Sequence, residues 1–364
     1  MSIAANQGAR QEPTRIATKP TKPVIYWAAF GVVIMAVIAF TIGQWLLSPG
    51  FTPAPTGSDP IPSGIQSWIT ALEVMSLSAV IAILWFSLIK PWVKAGSITW
   101  DGIFILALFT LYYQDPIDNY FNFTFTYNAH FHNMSSWAPY IPGWESPRAE
   151  NFAEPYMLMG SMFIWLFFII SVVACWLLNK FRTWLPNLSV IGHTGIIFLI
   201  VGTLDFLMES LFTHTQIFAY VAVYSPLSFW AGTPEQFPLY ESTGIAMVGT
   251  GCALVRYFRD DHGQSIFERG MQHLRLPSPA KKLLSFFAIA AGLHLIVFVG
   301  FYGQYQWFAL KADSFAKYPS YQLMEICGKG TPYACPTGEV PMAKRNSLAI
   351  SPDDPRLTEQ SRKN

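Results

Sequence analysis

The chain has 364 residues, 52% hydrophobic, 16% aromatic and only 12% charged, with a formal net charge of +1. Soluble domains carry about 25% charged residues, so this composition argues against a water-soluble globule and for an integral membrane protein. A net charge near zero, with no basic stripe across the apolar runs, argues against nucleic-acid binding.

Residues 1–23 are polar, basic and contain three prolines, and are expected to be a disordered cytoplasmic tail. The apolar run that follows is too long for a signal-peptide core and lacks a clear small-residue cleavage site, so 24–47 is expected as a first transmembrane helix. A Pro/Gly-rich connector without a positive charge leads to a second span, 65–89, which holds Glu73. The third, 98–113, is short. The fourth is 156–178, and the fifth, 189–212, carries His193, Asp205 and Glu209. The sixth, 239–258, begins near Glu241, and the seventh, 283–303, has His294 in its middle. Two polar, aromatic connectors, 114–155 and 213–238, separate these spans, and 304–364 reads as a polar extracytoplasmic tail.

Lys and Arg set the orientation. The N-terminal tail, Lys90 and Lys94, Lys180 and Arg182, and the basic stretch Arg256–Lys282 all fall on one side, while the outer connectors carry only Arg148. The predicted fold class is therefore all-α, a polytopic membrane helix bundle of about seven transmembrane helices, N-in and C-out. Its structured polar-aromatic loops lie on the outer side, and the membrane expected is the bacterial cytoplasmic membrane. Cys327 and Cys335 then face the oxidising side, where a disulfide can close the loop between them. Cys175 and Cys252 fall in apolar segments and are expected to be small core residues.

The richest stretch is Asp115–Trp144, with two carboxylates, two histidines, four asparagines and nine aromatics. It is too polar to cross a bilayer and too aromatic for an idle loop, so it is expected to cap the membrane domain and wall a pocket. Asn119, Tyr120, Tyr127, Asn128, Trp137 and Trp144, with Glu154 and Glu241, are the expected substrate-binding residues. Asp205 and Glu209 are spaced i, i+4 and share one helix face. A carboxylate within the bilayer costs at least roughly 2.5–3.5 kcal/mol, so that face should point into the bundle.

Asp205, Glu209, Asp115 and Asp118 are thus candidate acids and bases, with His130 and His132 as orienting groups. An extended segment would place both histidines on one side. The alternative for the acids is a pair that only ties helices together. His130, His132 and His214 could instead hold a metal, which would make the chain a metal-dependent membrane oxidoreductase. A further alternative is a non-catalytic carrier or accessory subunit for lipids or small molecules. No nucleophile elbow, phosphate-binding loop, dinucleotide fingerprint or zincin motif occurs in a supporting context.

The run DPIDNYFNFTFTYNAHFHNMSSWAPYIPGWESP, followed by EPYMLMG at the opening of the next span, resembles the AveC-like spirocyclase family of actinobacterial membrane proteins. The specific part covers about residues 115–160, and the architecture extends over most of 25–310. The resemblance implies spiroketal formation from a dihydroxy-ketone polyketide with loss of water, with no cofactor and an apolar or lipid-like ligand. It carries over no catalytic residues, so the acids and histidines named above rest on composition and spacing.

Overall fold

The computed structural model describes residues 21–328, 331–337, 340–346 and 350–351. The expected disordered tail lies almost wholly outside them. Among the described residues, seven helices of 11 residues or more form the body. They are α1 (Pro23–Leu46), α2 (Ser63–Ala95), α3 (Trp100–Thr110), α4 (Tyr156–Trp184), α5 (Val190–His214), α6 (Leu239–Tyr257) and α7 (Ser278–Ala309).

Five of them, α1, α2, α4, α5 and α7, are long and apolar enough to cross a membrane, against the seven spans that hydropathy predicts. The two that fall short have local causes. α3 gives way at Leu111 to a tighter turn, Leu111–Asn119, that contains Pro116. Proline lacks a backbone N–H and disfavours helical geometry in the residue before it. α6 reaches only 19 residues, diluted by Glu241, Ser242, Thr243 and several glycines.

Sequence signals set the other boundaries. Thr99 and Ser189 cap α3 and α5, their side chains accepting from the amides of Gly102 and Gly192. α7 packs along α1, and α6 lies between α4 and α5. The α1–α7 crossing is close because Gly31 has no side chain: a Cβ there would sit 2.0 Å from the Phe287 carbonyl oxygen. Small residues at such crossings let helix backbones approach where apolar burial alone gives little drive. Outward, large apolar side chains such as Phe40, Ile81 and Val299 are more than half exposed.

A second core sits over one end of the bundle. The connector after α1, the 115–155 and 215–238 loops and the segment beyond α7 bury Ala54, Phe123, Trp144, Phe152, Val221, Met324 and Ile326 together. The Cys327–Cys335 disulfide closes a short loop within the C-terminal segment, and Lys344, which donates to the Phe121 carbonyl and Asn122 Oδ1, fastens that segment to the 115–155 loop. Short antiparallel pairings hold it. β1 (Phe125–Tyr127) pairs with β4 (Phe218–Tyr220), and β2 (Met134–Ser135) with β3 (Ala153–Glu154). The β1–β4 register sets Phe125 opposite Tyr220 and Tyr127 opposite Phe218. Side chains alternate along a strand, so these four rings share one face, and they contact one another at centroid distances of 4.9–5.5 Å.

Candidate functional site, a carboxylate chamber beneath the lid

Below that aromatic face lies a cavity of about 60 Å³. Asp115 and Asp118 enter it from the turn that ends α3, Asp205 and Glu209 from α5, and Glu241 from the first turn of α6. Met159, Phe301 and Tyr302 complete part of the wall. These three belong to wide, π-type turns, Tyr156–Gly160 and Phe298–Tyr302, a distortion that often marks functional positions. The i, i+4 spacing does turn Asp205 and Glu209 inward, and both are buried. The lining contains five carboxyl groups and, among the described residues, no Lys, Arg or His.

Two of the acids are held by tyrosines of the β1–β4 pair. Tyr127 donates to both Asp115 oxygens, at 2.9 and 3.0 Å, and Tyr220 donates to Glu209 Oε2 at 2.5 Å. Burial, then the neighbouring acids, raise both phenols well above their ordinary value, so they stay protonated donors. Three other chamber oxygens, Asp118 Oδ1, Asp205 Oδ2 and Glu241 Oε2, are buried with no hydrogen-bond partner. Native proteins leave few buried polar atoms so, and these three border one small space.

Burial pushes Asp115 up to about 7, with the Tyr127 hydrogen bond pulling in the other direction. Burial and the Asp115 charge hold Asp118 well above the ordinary carboxylate range. Glu154 is raised in the same way, burial first and Asp115 second. It stands behind Asp115 in a smaller hollow shared with Asn119, its Oε1 accepting from Ser136 Oγ at 2.5 Å and its Oε2 unpartnered. A neutral acid beside an ionisable one at neutral pH is what proton transfer in both directions requires.

The histidines do not join this site. The chain turns at Ala129–His130 instead of running extended, with the Phe131 amide bonded back to the Asn128 carbonyl at 3.2 Å. His130 packs against the Tyr321 ring, and burial lowers it from its ordinary value. His132 points to α2, where its backbone N–H and Nδ1 meet Glu73 at 2.7 and 2.8 Å. His214 bonds the Ser210 carbonyl at 2.7 Å and abuts Trp230. The three imidazoles thus serve three separate contacts, and no group of three or more His, Cys, Asp or Glu among the described residues could hold a metal ion.

The expected binding residues divide. Tyr127 and Glu241 line the chamber, while Asn119 and Glu154 flank it. Asn119 also closes its own loop, Oδ1 accepting from the Thr124 and Phe125 amides at 2.9 and 3.0 Å. Tyr120, Asn128, Trp137 and Trp144 spend their polar atoms on backbone carbonyls of Pro142, Gln216, Tyr113 and Ser146, and so build the lid without lining the cavity. Tyr220, one of the aromatics crowded into the second connector, and Tyr302 are not among the expected site residues. A signal for Tyr220 was present: both long loops contain an aromatic-x-aromatic triplet, Phe125-Thr126-Tyr127 and Phe218-Ala219-Tyr220.

Fold and site together define a helical bundle protein whose lid closes over a buried chamber suited to acid–base chemistry. The family model described as spirocyclase AveC-like matches residues 97–323, a span that contains every chamber carboxylate, and the chain belongs to that family. Neither a curated protein nor a solved structure matches it.

Proposed function

We propose that the chain is a membrane-embedded spirocyclase that closes a polyketide- or lipid-like dihydroxy-ketone into a spiroketal by acid–base cyclodehydration. The observation that carries this reading is the convergence of five carboxyl groups on one cavity whose lining offers no cation. Unpaired buried charges are strongly disfavoured, so such a cluster retains protons and can deliver them. In this reading all seven helices lie in a bacterial cytoplasmic membrane, N-terminus inside and lid outside. The five long apolar helices and the outward-facing Phe40, Ile81 and Val299 support it.

The chemistry divides among the residues as follows. Asp115, as carboxylate, takes the proton from the attacking hydroxyl while Asp118 protonates the ketone oxygen, giving a hemiketal. A second proton delivered from the cluster lets the hemiketal hydroxyl leave as water. The remaining hydroxyl then adds to the oxocarbenium ion, and its proton returns to the cluster. Two C–O single bonds replace the carbonyl, one water departs, and nothing is oxidised or reduced. Asp205 and Glu209 supply that second proton and recover it from the last hydroxyl. The aromatic face of β1 and β4 holds the chain coiled, since placing the second hydroxyl near the cation removes much of the entropic barrier.

The test is turnover of a long-chain dihydroxy-ketone by the full chain in lipid vesicles, followed as loss of water by mass spectrometry. Wild-type protein is expected to form the spiroketal. Asp205→Asn with Glu209→Gln is expected to lose about 10²–10⁴-fold of that rate while keeping its helical circular dichroism. Unchanged turnover in that folded variant overturns the catalytic assignment and leaves a carrier.

A further inference from the structure

The chamber is too small for the molecule it would have to convert. Its volume of about 60 Å³ admits a few heavy atoms, whereas ligand sites for whole small molecules run to roughly 300–1,000 Å³. A larger cleft of about 260 Å³ opens beside it between α4 and α5. Leu166, Asp205, Met208 and Ile245 belong to the walls of both, so the two spaces adjoin across these side chains. Beyond that junction the cleft is wholly apolar, formed by residues such as Ile169, Val173, Ile200 and Leu204. Its outer rim faces away from the bundle: Ile169, Val173 and Leu204 are 40%, 46% and 62% exposed. Both helices are among the five long and apolar enough to cross a membrane.

Polarity is therefore graded across the two adjoining spaces, from carboxyl groups at the inner end to alkyl side chains at the outer. Asp205 stands at the boundary, its Oδ2 unpartnered. We propose that the substrate is an amphiphile taken sideways from the bilayer through the α4–α5 cleft. Its ketone carbon and attacking hydroxyl reach into the chamber, and the rest of the molecule, alkyl portion included, lies in the cleft. This rests on the cyclodehydration reading for the polar end only. It fixes the substrate class as a dihydroxy-ketone carried on a hydrocarbon tail. It also removes the need for a route through the lid, to which Lys344 ties the C-terminal segment at Phe121 and Asn122.

The experiment uses the full chain in phosphatidylcholine vesicles and two photoreactive probes with the same diazirine-bearing alkyl chain. One ends in a dihydroxy-ketone, the other in a methyl group. After illumination, adducts are mapped by peptide mass spectrometry. The dihydroxy-ketone probe is expected to label α4 and α5 around Val173 and Leu204 about tenfold more than Phe40 and Ile81 on the outer faces of α1 and α2, a factor worth about 1.4 kcal/mol. The methyl-terminated probe should label all four alike. Val173→Trp and Leu204→Trp fill the cleft from exposed positions on its rim, and each should abolish the preference, whereas Ile81→Trp should not. Equal labelling of cleft and outer faces by both probes overturns the proposal. The two readings fail separately. Uniform labelling with lost turnover in Asp205→Asn/Glu209→Gln removes the cleft and keeps the chemistry. Preferential labelling with turnover intact in that variant removes the chemistry and keeps a cleft that only binds.

Discussion

Buried acids occur at both ends of the bundle, and they are treated in opposite ways. At the end where α3 begins and α6 finishes, Glu268 accepts from Trp100 Nε1 at 2.8 Å, from the Ser265 amide and hydroxyl at 2.9 and 2.7 Å, and from the Ser285 hydroxyl. Beside it Asp101 forms a two-point ion pair with Arg256 at 2.9 and 3.0 Å. At the other end of the same helices, the chamber acids face one another without a cation, and three of their oxygens lack any partner. A satisfied polar network stabilises, whereas a partly satisfied one costs stability. The contrast separates a satisfied joint from a chamber whose open valences can serve a ligand.

Substitutions should divide along the same line. The largest expected effect is on rate: Asp118→Asn should lower turnover about 10²–10⁴-fold while shifting thermal stability by no more than about 1 kcal/mol, because it removes a buried acid with an unpaired oxygen. Glu268→Ala should do the reverse. It strands the indole and three serine donors, costs about 3 kcal/mol of stability, and leaves the rate at permissive temperature unchanged. Thermal unfolding and initial rates measured on both variants check the crossover. A loss of rate in Glu268→Ala equal to that in Asp118→Asn would erase the distinction.

The pH dependence follows next in size. Asp115 is raised in the folded chain to about 7 from an ordinary value of 3.8. Its contribution to stability is therefore complete below about pH 4 and lost as pH rises to about 7. Melting temperature should fall across that window, and Asp115→Asn should flatten the slope. Turnover should move the other way, rising through pH about 7 as Asp115 ionises while Asp118, held higher, keeps its proton. The smallest effect is expected from Tyr127→Phe. Without that hydroxyl Asp115 loses a hydrogen bond that favours its ionised form, so the rising limb of the rate profile shifts to higher pH, at a cost of about 1 kcal/mol in transition-state energy.

Much of the frame was legible in the sequence. Each expected apolar run coincides with a helix, but only five are long and apolar enough to cross a membrane: Pro116 follows the end of α3, and small and polar residues dilute α6. The inward face of Asp205 and Glu209 followed from i, i+4 spacing and the energetic penalty for charge in lipid. The misplaced histidines had a local cause. An alternating pattern predicts a shared face only if the chain stays extended, and it turns at Ala129–His130. The β1–β4 pairing joins triplets about ninety residues apart. No local periodicity encodes that partnership, although it is what brings Tyr127 and Tyr220 to their carboxylates. Likewise, Met324 and Ile326 belong to a short apolar run in a polar tail, and only the tertiary structure shows them inside the lid core.

The central claim is that the chamber stores protons at neutral pH, and it can be measured without a substrate. Infrared spectroscopy of the protein in lipid at pH 7 distinguishes protonated carboxyl groups from carboxylates by their carbonyl absorbance. A protonated carboxyl band present in the wild type and diminished in Asp118→Asn is the expected result. A wild-type spectrum with every carboxyl ionised would contradict the account.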